Sequence, residues 1–349
     1  MNPFLLKPLL ALLFAMAAPI VPVHEGSSPQ LAVDSRGTVR MIFGRQDTIF
    51  AVTSTDQGKS FGVALVVGVV PDMHLGNTRG PVIASSKSRT LVAAVDKTGN
   101  IHLFQLEHAA GLWRPLPRPL NDKPGSAPEG LITLAADDAD GFYAAWLDVR
   151  ADKHNQIFFS RTTATTPGAP WSPNMRINTA AIGSACECCR PSVAVAGGTV
   201  AVMFRNTLSG SRDMFLASSA DGGRTFADAH KLGTGSWKID ACPMDGGALN
   251  IGTRGQVSTV WRRENTVYYA RPGEAESVIG PGRSPMMSSG PSGSYIIWQD
   301  AGRIRLRALA GKDDMIVGDG NLPQVLALAD GHPLTAWEKN GEVFVRKVD

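Results

Sequence analysis

Apolar and polar positions alternate along most of the chain in short runs, the period-two signature of half-buried β-strands. The runs come in recurring groups. A proline opens a small apolar strand, and a second strand follows that ends in an aromatic or aliphatic residue and a polar turn. The opening prolines are Pro29, Pro81, Pro128, Pro191, Pro243, Pro285 and Pro323. The second strands close on Phe43, Val95, Trp146, Phe204, Trp261, Trp298 and Trp337. Successive copies lie roughly 40 to 60 residues apart, the period of a four-stranded propeller blade. The pattern predicts an all-β propeller of seven blades over residues 18–349.

The first blade shows the full set of four strands: Pro29 to Asp34, Val39 to Phe43, Thr48 to Thr53 and Ala64 to Val70. The seventh group ends at Val348 with only three. A ring of sheets must hide its edges. The stretch Pro19 to His24 is therefore expected to supply the outer strand of the last blade and latch the ring.

With 349 residues the chain exceeds a usual single core, but a propeller adds blades without enlarging one. Its 37 glycines and 23 prolines suit many tight turns. A formal net charge of only +3, with no basic stripe, excludes a dedicated nucleic-acid binder. Residues 1–17 read as a signal peptide. Lys7 sits beside an apolar stretch that ends in Ala15-Met16-Ala17, a small-x-small cleavage site, and the stretch is too short to favour a membrane span. An uncleaved anchoring helix is the alternative. The mature chain is expected to be exported, periplasmic or secreted, monomeric and without a membrane span.

Two octapeptides, Ser54 to Phe61 and Ser219 to Phe226, have the form Ser-x-Asp-x-Gly-x-Ser/Thr-Phe. They resemble the Asp box, or BNR repeat, of the sialidase-like β-propellers, with a degraded third version around Ser160 to Trp171. The resemblance implies structural hairpin turns, with Asp56, Gly58 and Phe61 in one and Asp221, Gly223 and Phe226 in the other. It also offers a six-bladed sialidase-type ring as the alternative to seven. Sialidases hold the substrate carboxylate with three arginines. Arg79, Arg190 and Arg283 approach three opening prolines, and Arg79-Gly80-Pro81 is similar to a worn Arg-Ile-Pro motif. The chemistry also needs a tyrosine nucleophile with a glutamate partner. Tyr268 or Tyr269 with Glu264 is the one pairing among four tyrosines, and Asp72, Asp96 and Asp148 are the acid/base candidates.

The residues before each opening proline should meet at one mouth of the channel. Arg79, Arg190 and Arg283 there suit a small anionic ligand or an acidic glycan, because a guanidinium grips such groups bidentately. All four cysteines fall in the same position: Cys186, Cys188 and Cys189 before Pro191, and Cys242 before Pro243. With Met244 they form a candidate soft-metal site for Cu(I) or Zn(II). His24, His74, Met286 and Met287 belong to other loops that approach this mouth. Two disulfides are the alternative, as is usual for an even cysteine count in an exported protein. Asn206 to Asp213 reads as a long polar loop on this face, and Trp237 either stacks on a ligand or seals a blade edge. Binding of a soft metal ion is the leading function. An exo-sialidase or other glycoside hydrolase and a protein-interaction platform are the alternatives.

Overall fold

The computed structural model describes residues 22–151, 154–162, 168–178, 183–252, 255–291 and 293–348. The expected signal peptide, residues 1–17, and the first residues of the expected latch lie outside them. So does part of the third, degraded Asp box. Among the described residues no helix is long and apolar enough to cross a membrane.

Seven antiparallel sheets form a closed ring. Their innermost strands are Ser27–Val33, Val82–Ser85, Ile132–Ala136, Ser192–Ala196, Ala248–Ile251, Arg283–Gly290 and Asn321–Ala327. Each packs against the innermost strand of the next blade, and the seventh returns to the first. Seven blades is the count the repeats predict, and the six-bladed alternative is not the fold. The opening prolines sit at or just before these strands.

The second strands form the dry layer between blades. Trp146, Trp298 and Trp337 are fully enclosed, as are Phe43 and Phe204. Glycines on the outer strands accept these rings. A side chain at Gly318 in blade 6 would fall 2.4 Å from the Trp337 ring of blade 7, and Gly68 in blade 1 meets Phe104 of blade 2 in the same way. A large flat ring thus packs on bare backbone, so neighbouring sheets approach closely.

The latch is present. Pro22–Glu25 pairs antiparallel with Glu342–Lys347 and is the outer strand of the seventh blade. His24 stacks on Phe43 and Phe50 of the first blade, with ring centroids 5.0 and 5.7 Å away. The latch therefore bridges the seam where the chain's two ends meet.

The two octapeptides form matching turns at the far end of blades 1 and 4. Asp56 accepts hydrogen bonds from Ser54 Oγ, Ser60 N and Ser60 Oγ. Asp221 accepts from Ser219 Oγ, Thr225 N and Thr225 Oγ1. These bonds hold both carboxyls well below the usual range, led by Ser60 Oγ at Asp56 and by the Thr225 amide at Asp221. Gly58 and Gly223 take φ of 77° and 80°. Phe226 meets Phe159 edge-on at 4.9 Å, and Phe61 packs between blades 1 and 7.

A chain shortened to begin at Gly26 lacks the latch strand. It is expected to melt at least ~5 °C lower than one that begins at Ala18, by differential scanning calorimetry. Equal melting temperatures would show that the seventh blade closes without it.

Candidate metal centre

Blade 4 departs from the other six. Its second and third strands, Thr199–Leu208 and Ser211–Ser219, run beyond the sheet as a two-stranded arm with Ser209-Gly210 at the tip. Asn206 to Asp213 is therefore a β-hairpin rather than a polar loop. The arm is flanked on both sides. Ser184–Ala185 pairs with Thr207 and Asn206 on one edge. On the other, Lys238 bridges to Ser211, and Arg212 N donates to Trp237 O at 2.8 Å. Cys186, Cys188 and Cys189 follow the first flanking segment, and Cys242 lies on the second.

The first segment turns immediately after Ala185. Cys186 N donates to Arg205 O at 2.9 Å, and the chain folds through Glu187 and Cys188 to Cys189 before Pro191. The turn puts three side chains on one side. Cys186 Sγ lies 3.2 Å from Cys189 Sγ and 3.6 Å from Cys188 Sγ, and Cys188 and Cys189 are 4.0 Å apart. The three are 0%, 3% and 1% exposed. All four cysteines of the chain are free thiols. The three buried sulfurs form a cluster able to chelate a metal ion. Metal–sulfur bonds of about 2.3 Å in tetrahedral geometry put sulfurs about 3.8 Å apart, which falls within the observed spread.

The charges around the cluster favour a thiolate. Arg212 Nη1 donates to Cys186 Sγ at 3.0 Å. The Cys186 thiol is held far below its usual range by its contacts with Cys188 and Cys189, and Arg212 adds to them. Cys188 is pushed up to about 12, chiefly by its contact with Cys186. Burial pushes Cys189 well up, while the charge of Arg205 pulls it the other way.

The second segment, Trp237 to Gly247, completes the wall. Met244 packs against the three cysteines and adopts φ of 63°, a left-handed conformation unusual for methionine. Cys242 is exposed and neighbours Cys188, outside the tight group of three. Arg262 Nη2 donates to Pro243 O at 2.9 Å and pins the segment. Gly246 is where blades 4 and 5 approach most closely, since a side chain there would overlap Arg190 O at 1.7 Å. Trp237 is buried between two guanidiniums, Arg205 at 5.3 Å and Arg262 at 5.2 Å. It seals the blade edge and is not free to stack on a ligand.

Asp245 ties this wall to three blades. It is 4% exposed. Arg205 of blade 4 lies 3.5 Å away, Arg262 of blade 5 lies 3.2 Å away, and Ser284 N of blade 6 donates to it at 3.1 Å. Removing one side of such a buried pair costs on the order of 3–5 kcal/mol, because the other charge is left uncompensated.

The three expected anion-binding arginines do not share one cavity. Arg190 lines a channel cavity of about 30 Å³ with Thr78, Asp245, Ser284, Met286 and Gln324, room for one or two waters. Burial lowers its pKa to about 10. Arg79 is tied to Glu129 through its carbonyl at 2.6 Å and its carboxylate at 3.1 Å, and Arg283 is exposed and bonded to Gln299. Neither faces the small cavity. The tyrosines stand apart as well. Tyr268 and Tyr269 lie on Thr266–Ala270, the third strand of blade 5. Tyr268 stacks on Trp261 beneath Arg263, and the Tyr269 hydroxyl contacts Ser258 Oγ at 3.1 Å. Glu264 occupies the exposed turn before that strand with φ of 57°. Among the described residues no hydrogen bond joins it to either tyrosine.

The remaining candidates also have local partners. Asp148 is buried on Ser126, Trp146 and Arg150, and Asp96 holds Thr98, Asn100 and His102. Asp72 sits in an exposed turn with φ of 54°. His24 belongs to the latch, and His74 is wedged against Gly130. Met287 is core, and Met286 faces the channel cavity. A second, open cleft of about 440 Å³ lies over blades 7 and 1, lined by Glu25, Arg45, Gln46, Leu75 and Glu342 among others. The alternation of the sequence placed the tyrosines in strands. It gave no sign of Arg212 or Asp245, whose partners are far away in sequence or next to the cysteines.

No family model matches the chain, and no curated protein sequence matches it. Solved structures do match it as folds. The chain is similar to a family PL25 ulvan lyase bound to a glucuronate–sulfated rhamnose unit, at 9% identity over 94% of this chain and 95% of that one, with a TM-score of 0.60. It is similar to the α-L-arabinanase of Penicillium chrysogenum complexed with arabinobiose, at 12% identity over 94% and 97%, with a TM-score of 0.53. It is also similar to the Aleuria aurantia lectin in complex with a fucosylated GlcNAc, at 11% identity over 86% and 98%, with a TM-score of 0.53. The propeller is thus shared with several carbohydrate-active and lectin propellers as a fold. The likeness does not single out the sialidases to which the octapeptides pointed.

The exposures predict a simple order of reactivity. With the reduced protein, a maleimide should modify Cys242 first and leave Cys186, Cys188 and Cys189 protected until the chain unfolds. Mass mapping of the labelled peptides checks this, and early labelling of the trio would contradict their burial.

Proposed function

We propose that this protein binds one thiophilic metal ion, Cu(I) in preference to Zn(II), at Cys186, Cys188 and Cys189. The observation that carries the reading is the buried trio of sulfurs at near-coordination spacing, fixed by a turn that the blade 4 arm holds in place. Three thiolates on Cu(I) make a doubly negative unit. Arg212 and Arg205 supply the compensating charge, and Arg212 also orients Cys186, the part an outer-sphere partner takes at a metal site. Met244 supports copper over zinc, because a thioether suits Cu(I) and is a poor ligand for Zn(II). Export, read from the leader segment, would place this chemistry outside the cytosol, where unbound thiols tend to form disulfides. Bound metal would keep the trio reduced.

The test is anaerobic titration of the reduced protein with Cu(I) and with Zn(II), read by elemental analysis after gel filtration. One copper per chain is expected, retained against an excess of zinc. Cys186→Ser and Cys189→Ser should each abolish retention, and Arg212→Met should weaken affinity about 10- to 100-fold. Zinc retained in place of copper would overturn the choice of metal, and retention of neither would overturn the site.

A second reading is binding or cleavage of an acidic glycan at the channel mouth. Arg190 favours it, as does the open cleft on the same face, and three of the similar solved propellers are bound to sugars. The small cavity at Arg190 admits a single anionic group rather than a sugar ring. This reading predicts that an immobilised uronate-containing or sulfated oligosaccharide retains the wild-type chain and releases Arg190→Ala. Equal retention of both would count against it.

A further inference from the structure

Cys186, Cys188 and Cys189 are covered by their own turn, by the blade 4 arm and by the segment that carries Met244. That covering segment also carries an exposed thiol, Cys242. Cys242 neighbours Cys188 and lies two residues from Met244, which packs on the trio. Arg212 bonds the buried Cys186 Sγ at 3.0 Å. Met244, two residues along the same segment, presses on the trio with a strained backbone.

Resting on the metal reading above, we infer that Cys242 is the exchange ligand of this centre: it takes Cu(I) from a thiol-bound donor at the surface and hands it to Cys188. The partner is a Cu(I)–thiolate, whether a small thiol or a cysteine-bearing protein. The transfer proceeds by ligand exchange without redox change. The Cys242 thiolate forms a sulfur–copper bond as one donor thiolate leaves. Cys188 then binds copper as the second donor thiolate leaves and takes the Cys188 proton. Cys186 binds as Cys242 withdraws, and Cys189 adds a third sulfur, its proton passing to the first donor thiolate. Three bonds are exchanged and one is gained, so two-coordinate copper becomes three-coordinate and remains Cu(I) throughout. The arrangement separates two properties. The trio sets how tightly copper is held, and Cys242 sets how fast it moves.

The experiment uses the full mature chain under anaerobic conditions, loaded from Cu(I)–glutathione. Two quantities are measured for the wild type, Cys242→Ser and Cys188→Ser. One is the affinity, by competition with bathocuproine disulfonate at equilibrium. The other is the rate of copper transfer from glutathione and back to it, by stopped flow. Cys242→Ser should leave the affinity within about threefold and slow transfer in both directions by about tenfold or more. Cys188→Ser should lose affinity. Cys242 is exposed, so its replacement leaves the fold intact, and an unchanged melting temperature checks this. Unchanged transfer rates in Cys242→Ser would overturn the inference and leave the metal centre standing. Affinity that falls in step with the rate would also overturn it, by making Cys242 a resident ligand. A wild-type chain that takes up no Cu(I) would overturn the metal reading itself, and this inference with it.

Discussion

Asp245 is the group on which the channel mouth depends. It is one buried carboxylate that pairs with Arg205 of blade 4 and Arg262 of blade 5 and accepts from Ser284 N of blade 6. Without it two guanidiniums would remain enclosed with less counter-charge, a cost that a propeller seam has little else to offset. The same two arginines clamp Trp237 between them, and their other bonds reach the cysteine segments. Arg205 O receives Cys186 N, and Arg262 holds Pro243 O. The seam between blades 4 and 5 is thus a single polar unit. Its carboxylate fixes the arginines, the arginines fix two chain segments, and those segments carry the four thiols.

The arm of blade 4 turns this seam into a site. In the other blades the second and third strands end near the sheet. Here they extend far enough to accept one extra strand on one edge and the Trp237 segment on the other. Backbone pairing does what side chains alone do poorly, because hydrogen-bonded segments on both flanks leave little freedom at the turn that follows. Arg212, at the base of the tip, then reaches Cys186 from a strand rather than from a loop. A strand places a group more firmly, which suits a centre that must hold a soft metal by geometry as well as by affinity.

Much of the fold was legible because a propeller writes each blade in local sequence. Trp146, Trp261, Trp298 and Trp337 mark second strands through residues within a few positions of themselves, and the missing last strand pointed to the N-terminal latch. The site was legible in part. Cys186, Cys188 and Cys189 are close in sequence and in space, and Cys242 lay one blade on. Arg212 was missed because an alternation interrupted by Ser209-Gly210 reads as a loop, and only the pairing of Thr207 with Arg212 reveals a strand. The partner of Arg79 was hidden for the opposite reason. Arg79 has the expected position, but its partner Glu129 lies 50 residues on and nothing local announces it. Tyr268 and Tyr269 obeyed the strand pattern and packed accordingly.

The measurement that bears most directly on the central claim is copper K-edge X-ray absorption of the protein loaded with Cu(I). A first shell of three sulfur atoms, with no nitrogen or oxygen shell, is the predicted result, and Cys189→Ser should change it. A shell of nitrogen or oxygen, or an unchanged spectrum in that variant, would contradict a centre built on the buried trio.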